Sequence, residues 1–144
     1  LVLNLGLAPG RTDINVERVA INVADFSIPD ASGRKPVDAP IDPTGPAAYF
    51  ATIPVKKVVN ALLSEGIPAT VSNTAGTYLC NFIMYTSLNH VAKNGLDAKA
   101  GFIHVPNLPG QAAEKYLADK TQTPSMSLET MLKGIEIAVR TSLP

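Results

Sequence analysis

The chain has 144 residues, 46% of them hydrophobic and 17% charged, which suits one packed domain over residues 1–144 and is too apolar for a disordered segment. Twelve Lys and Arg balance twelve Asp and Glu with no basic run, which argues against nucleic acid and anionic membrane surfaces as partners. No stretch approaches the ~20 apolar residues of a membrane span. The start has no secretory signal and the one cysteine cannot close an intrachain disulfide, so the expected setting is reducing and cytoplasmic.

In chain order, "LVLNLGL" (1–7) is mostly apolar and predicts a buried strand stopped by "APGR". A chain that starts inside a buried strand also leads us to expect preceding sequence. "INVERVAINVADFSI" (14–28) is rich in β-branched residues and reads as extended. Residues 29–47, with prolines at 29, 36, 40, 43 and 46, predict a surface loop or lid of limited flexibility. Thr52 offers an N-cap and Pro54 a first-turn proline to a helix striped by Val55, Val58, Val59, Leu62 and Leu63 and closed by Gly66.

"IPATVS" (67–72) reads as the next strand. Residues 80–93 predict a helix that is apolar on most faces and therefore well buried, with Gly95 at its end. "AGFIHVP" (100–106) is another strand, stopped by Pro106, and irregular chain is expected up to Pro124. A last helix starts near Ser125 or Ser127, with Glu129 in its first turn and a stripe of Met131, Leu132, Ile135, Ala138 and Val139. Strands alternating with helices predict an α/β fold, a three-layer sandwich with a largely parallel central sheet flanked by helices. Such sheets carry functional residues at the carboxyl ends of their strands.

The one cysteine, Cys80, follows a strand and the polar turn "SNTAG" and stands where a helix begins. A free cysteine is ordinarily a small buried hydrophobe. At a helix start, however, amide N–H groups and the positive dipole end favour thiolate, and the same N–H groups suit an oxyanion. A thiolate needs a proton partner. His90 falls inside the helix after Cys80, an ordinary surface or packing position. His104 lies near the carboxyl end of a strand, which in a parallel sheet is the edge that also holds Cys80. For the group that orients the imidazole, Glu17 and Asp25 compete. Glu17 adjoins Arg18 in an extended segment, so one of the two must face inward. HExxH, CxxC and P-loop motifs are absent, so neither a metal nor a nucleotide cofactor is expected.

The stretches "GLAPGRTDINVERVAIN", "IPD", "PAAYFATIPVKKVVNAL", "GIPATVSNTAGTYLCNFIMY", "GFIHVP" and "PSMSLE" resemble the pyroglutamyl peptidase I (pyrrolidone-carboxylate peptidase) family over most of the chain. The family's acid, nucleophile and base come in the order Glu, Cys, His, and the separations Glu17 to Cys80 and Cys80 to His104 look like its own. The resemblance therefore selects Glu17 over Asp25 and His104 over His90. It implies a cysteine exopeptidase that removes N-terminal pyroglutamate from peptides, with Leu79, Ile28 and Leu7 lining the ring site and a homo-oligomer as the assembly.

Three features depart from the family pattern. Ser27 in "DFSIPD" stands where members commonly carry Arg, and Leu7 where some carry Gln. The family's "TGFxPF" motif and the strand and helix around it are not in this sequence. These departures motivate a competing expectation, a non-catalytic or truncated relative of the same fold. A different cysteine hydrolase or a chaperone-like α/β protein is a third.

Overall fold

The computed structural model describes residues 1–143, which form two compact units by their internal contacts. The first comprises Leu1–Asn4, Glu17–Ile53 and Ser72–Phe102; the second comprises Leu5–Val16, Pro54–Val71 and the chain from Ile103 on. The elements in chain order are β1 (Val2–Leu7), β2 (Ile14–Glu17), β3 (Val19–Ile21), β4 (Ala48–Phe50), α1 (Val55–Ser64), β5 (Ala69–Ser72), α2 (Leu79–Lys93), β6 (Ala100–Val105), α3 (Pro109–Asp119) and α4 (Leu128–Ser142). The fold is α/β with four helices and a mostly parallel central sheet of strand order β1-β6-β2-β5; β3 and β4 form a separate antiparallel pair.

In the first unit, Val2 N–H donates to Lys99 O at 2.8 Å and Arg18 N–H to Ser72 O at 2.8 Å. These bonds start the β1–β6 pair and end the β2–β5 pair. Helix α2 packs on β3 and β4. It buries a stripe of Met84, Tyr85, Leu88 and Val91 against Ala20, Ala75, Ala100 and Phe102. The helix is well buried on the face toward β3 and β4, but one of its apolar residues, Ile83, is exposed on the other. β4 directly follows the predicted loop 29–47, in residues for which the sequence predicts no element. Its three residues alternate exposed and half-buried and are ordered by pairing with β3 in the register Ala20↔Tyr49.

The proline-rich loop of the first unit is held down by one carboxylate. Asp42 receives Lys93 Nζ at 2.5 Å, Asn89 Nδ2 at 2.8 Å and both the N–H and the hydroxyl of Thr44 at 2.8 Å. Asn22 grips the same turn, accepting from Asp42 N–H and donating to Asp42 O. Tyr85 closes the anchor by donating its hydroxyl to Pro46 O at 2.7 Å. Gly45 is the residue that fits here, because a Cβ at that position would collide with the Tyr85 hydroxyl.

In the second unit, Ala8 N–H donates to Val105 O at 2.9 Å and Ile14 N–H to Pro68 O at 3.0 Å, so β1 and β6 run parallel, as do β2 and β5. The central pair is antiparallel, with Asn15 opposite His104 and Val16 opposite Ile103. Helices α1 and α4 pack on each other through Val58, Val59 and Leu62 and through Met131, Gly134 and Ala138. Gly134 permits that approach: an added Cβ would stand 2.5 Å from Ile14 Cδ1 and 3.4 Å from Leu62 Cδ2. Ser127 caps α4 by accepting from Thr130 N–H at 3.1 Å.

Three local expectations are corrected in or beside this unit. Thr52 is not the cap of α1. The helix begins after Pro54 without a side-chain cap, and Thr52 exchanges hydrogen bonds with Ala100, accepting from its N–H at 2.7 Å. β1 is an edge strand, not a buried one, with Val2, Leu5 and Leu7 exposed. The irregular stretch before Pro124 contains α3, whose entry is fixed by Pro109 in its first turn and by Leu108 N–H donating to Gln111 Oε1 at 2.8 Å.

Candidate active site

Cys80 is the second residue of α2 and half-buried. The path from β5 to this helix is a sharp polar turn. Gly76 takes φ +78°, a left-handed conformation that a side chain disfavours, and its N–H donates to Thr74 Oγ1 at 3.0 Å. The turn is tied to the loop after β3 in both directions: Asp25 N–H donates to Thr77 O at 3.1 Å and Thr77 Oγ1 to Asp25 O at 2.9 Å. Tyr78 adds a hydroxyl bond to Pro29 O and an edge-on ring contact with Phe26, centroids 4.7 Å apart.

Tyr78 occupies the N-cap of α2 but supplies no side-chain cap, and the first turn holds no acidic residue. No side chain at the cap therefore competes for the first-turn N–H groups, and no carboxylate there opposes a thiolate. Asn81, directly after the cysteine, is 1% exposed and fully engaged. It accepts from Ile21 N–H and donates to the carbonyls of Ile21 and Val23, each at 2.9 Å. This clamp fixes the start of α2 against β3 and the loop beyond. Sequence reasoning missed it; the only signal was an asparagine in the first turn of a largely apolar helix.

Glu17 ends β2 and is completely buried, while its neighbour Arg18 is half-buried, so the inward-facing member of the pair is the acid. β2 and β5 are parallel, and Arg18 N–H bonds Ser72 O. Glu17 and the turn leading to Cys80 thus leave their strands at the same carboxyl edge of the first unit. Asp25 is exposed, and its carboxylate accepts a long bond of 3.4 Å from Asp38 N–H.

His104 belongs to the second unit, where it is 5% exposed in β6 with Asn15 opposite. β6 runs antiparallel to β2, a choice of pairing partner that no local pattern in either strand encodes. His90 is exposed near the end of α2, where Asn94 Nδ2 donates to its carbonyl at 2.8 Å, as expected of an ordinary surface histidine.

Of the residues expected to hold the substrate ring, Leu79 lines a cavity of about 480 Å³ in the first unit, with Phe26, Arg34, Lys35 and Phe82 among the other walls. Ile28 is 60% exposed beside that cavity's Asp30 turn and is not one of its walls. Leu7 lies in the second unit, in an apolar groove of about 290 Å³ shared with Leu5, Met131 and Leu132. Among the described residues no three His, Cys, Asp or Glu side chains gather as a metal site requires, and no helix is long and apolar enough to cross a membrane.

The α/β sheet thus delivers the lone cysteine on a strand–turn–helix corner, with a buried acid at the same sheet edge. Comparison with known proteins assigns the family. The family model described as pyroglutamyl peptidase matches residues 1–143, and the chain belongs to that family. It is 57% identical over 139 residues to pyrrolidone-carboxylate peptidase 1 of Caldanaerobacter subterraneus subsp. tengcongensis, covering 96% of this chain and 66% of the relative. It is 48% identical to the pyrrolidone-carboxylate peptidase of Thermococcus litoralis, covering 99% of this chain and 65% of the relative. The crystal structure of pyrrolidone carboxyl peptidase from Pyrococcus furiosus superposes with a TM-score of 0.93 at 46% identity, over 97% of this chain and 67% of that one. The chain thus spans about two thirds of the length of the relatives it matches.

Proposed function

We propose that the protein is a cysteine exopeptidase that removes N-terminal pyroglutamate from peptides, with residues 1–144 belonging to a single peptidase domain that also needs the family's N-terminal strand and helix. Cys80 is the nucleophile, His104 the general base and acid, and Glu17 the group that orients and stabilises the imidazolium. The observation that carries this reading is the placement of the chain's one cysteine in the uncapped first turn of α2, in a chain of the pyroglutamyl peptidase family.

In this reading Sγ attacks the carbonyl carbon of the pyroglutamyl residue as His104 takes the thiol proton. The carbonyl oxygen becomes an oxyanion facing the first-turn N–H groups of α2. His104 returns the proton to the leaving amine nitrogen, the C–N bond breaks and a thioester remains. Water, its proton drawn by His104, then attacks the thioester, and pyroglutamate leaves as Sγ regains a proton. The lactam terminus is uncharged, so an apolar site with a few amide hydrogen bonds is enough to hold it. Assembly as a homo-oligomer in the cytoplasm completes the proposal; light scattering on a sizing column tests the first part.

The deciding experiment is turnover of a fluorogenic pyroglutamyl amide. Release of the amine by the wild-type chain and its loss in Cys80→Ala are expected, with Cys80 alkylation giving the same loss. A folded wild-type chain that includes the family's N-terminal strand and helix and still shows no turnover overturns the proposal. That outcome favours the second reading, a non-catalytic or truncated relative of the same fold, which the exposed Ser27 in "DFSIPD" and the family portion not in this sequence motivate.

A further inference from the structure

Asn15 and His104 stand directly opposite each other in the antiparallel pair of β2 and β6, within the second unit. Residues paired in this way project to the same face of a sheet, with Cβ atoms about 5 Å apart. On the other side of β2 lies β5. There Asn15 Nδ2 donates to Thr70 Oγ1 at 2.7 Å, and Thr70 Oγ1 donates to Asp13 Oδ2 at 2.6 Å. Thr70 has one hydroxyl proton and gives it to Asp13, so the bond with Asn15 must come from the amide nitrogen. That settles which end of the amide faces β5.

The two ends of an amide diverge, so Asn15 Oδ1 is turned away from β5. It belongs to a side chain only 4% exposed and has no hydrogen-bond partner among the described residues. A buried acceptor in that state is costly, and positive charge that develops beside it relieves the cost. The chain of bonds from the Asp13 carboxylate through Thr70 also polarises the amide and makes its oxygen more negative. Across the strand pair from this amide is the buried His104.

We infer that Asn15 tunes His104, taken as the base of the peptidase reading above on which this rests: the oxygen end of its amide, held by Thr70 and Asp13, stabilises the imidazolium while His104 carries the thiol proton. An amide at this place favours positive charge without taking up the proton itself. Asn15 is a positioning residue, since it acts through His104 and not on the substrate. The ionisable groups on the strands around His104 are few. β1 and β5 carry none; Asp13 precedes β2 and accepts from Thr70; Glu17 follows Asn15 by two positions and so shares its face. On the face of β6 that His104 occupies, Phe102 packs in a cluster with Tyr85 and Cys80 of α2.

The test follows the imidazole itself by NMR. The chain has two histidines, so 15N-labelled histidine gives two sets of ring signals, and His90→Ala identifies those of His104. Cys80→Ser is the background, because it removes the thiol's own titration. In that background Asn15→Leu is expected to lower the titration midpoint of His104 by about one pH unit, the scale of one polar group lost from beside a charge. Asn15→Asp puts a carboxylate at the same place and should raise the midpoint. Thr70→Val, at an exposed position, frees the amide to turn and should lower it by less; it decides alone where Asn15→Leu does not fold. An asparagine with a merely structural role would not move the midpoint in opposite directions. With Cys80 in place, kcat for the fluorogenic amide should fall by about tenfold in Asn15→Leu, with KM little changed. A midpoint that stays put in every folded variant, with turnover present in wild type and lost in His104→Ala, overturns the inference and leaves the peptidase reading standing. Turnover that survives His104→Ala, or that is absent from the wild-type chain assayed above, overturns both.

Discussion

Asn81→Leu keeps the size of the side chain in the first turn of α2 and removes every polar contact it makes. The amide accepts one bond and donates two, all at 2.9 Å, to main-chain groups of Ile21 and Val23. The side chain is 1% exposed, so water cannot replace those partners without opening the structure. Each buried polar group left without a partner costs about 1–3 kcal/mol. The orphaned N–H of Ile21 belongs at the upper end, because buried N–H groups are hardly ever left unpaired, and the two carbonyls nearer the lower end. The expected loss is about 3–5 kcal/mol, a large share of the ~5–15 kcal/mol that stabilises a typical domain. At about 2–4 °C per kcal/mol for a chain of this size, the melting temperature should fall by about 10 °C or more. Circular dichroism melts and urea midpoints read the effect directly. Asn81→Asp is the control: it keeps an acceptor for Ile21 N–H but turns two donors into a carboxylate facing two carbonyl oxygens. It should be at least as damaging at neutral pH and recover partly as the pH falls and the carboxyl protonates. A drop of less than about 3 °C in Asn81→Leu, below about 1 kcal/mol on the same scale, refutes the assignment of the clamp.

Further consequences can be checked with the same melts. Ser127→Ala removes the cap bond to Thr130 N–H and should cost about 1 kcal/mol; no shift in melting temperature would mean that another group caps α4. Gly101→Ala drives a Cβ into Cδ1 and Cγ1 of Ile53, itself 3% exposed, and should cost about 1–3 kcal/mol from overpacking; a neutral result would show that Ile53 can turn aside. For pH, the carboxyls of Asp30 and Asp119 are held at about 2, chiefly by Ser32 and by Lys115 respectively, and that of Asp42 lower still by Lys93, against an ordinary value of 3.8. Depressed acids stabilise the fold in full above the unfolded value and lose that contribution as the pH falls through the folded one. Melting temperature should therefore hold down to about pH 4 and decline between there and about 2, less steeply in Asp30→Asn; an identical acid slope in that variant would contradict the prediction.

What the sequence disclosed follows from how local each signal is. α1 and α4 are readable because their stripes face one another and their ends carry Gly66 at φ +72° and the Ser127 cap. α3 is not readable because none of its residues is buried: Tyr116 and Leu117 point outward, and only Pro109 and Gln111 mark its start. The direction of β6 relative to β2 is a long-range choice that neither strand's own residues encode, although each strand is readable by itself.

The same distinction divides the candidate site. A cysteine after a strand and a polar turn announces its own helix-start environment, and an acid beside an arginine in a strand announces that one of them is inside; both signals lie within a few residues. The groups that fix the site do not. Asn81 binds partners about 60 residues earlier, and its amide could as easily have faced solvent from the first turn of a helix. The walls are harder still, because they are made by whichever loop arrives: Leu79 gains its cavity from the segment 24–40, which Asp30 and Asp42 fold into shape, while Ile28 in that segment stays exposed. A residue's place at a helix start is therefore legible from its own turn, whereas the walls of the space beside it depend on turns elsewhere.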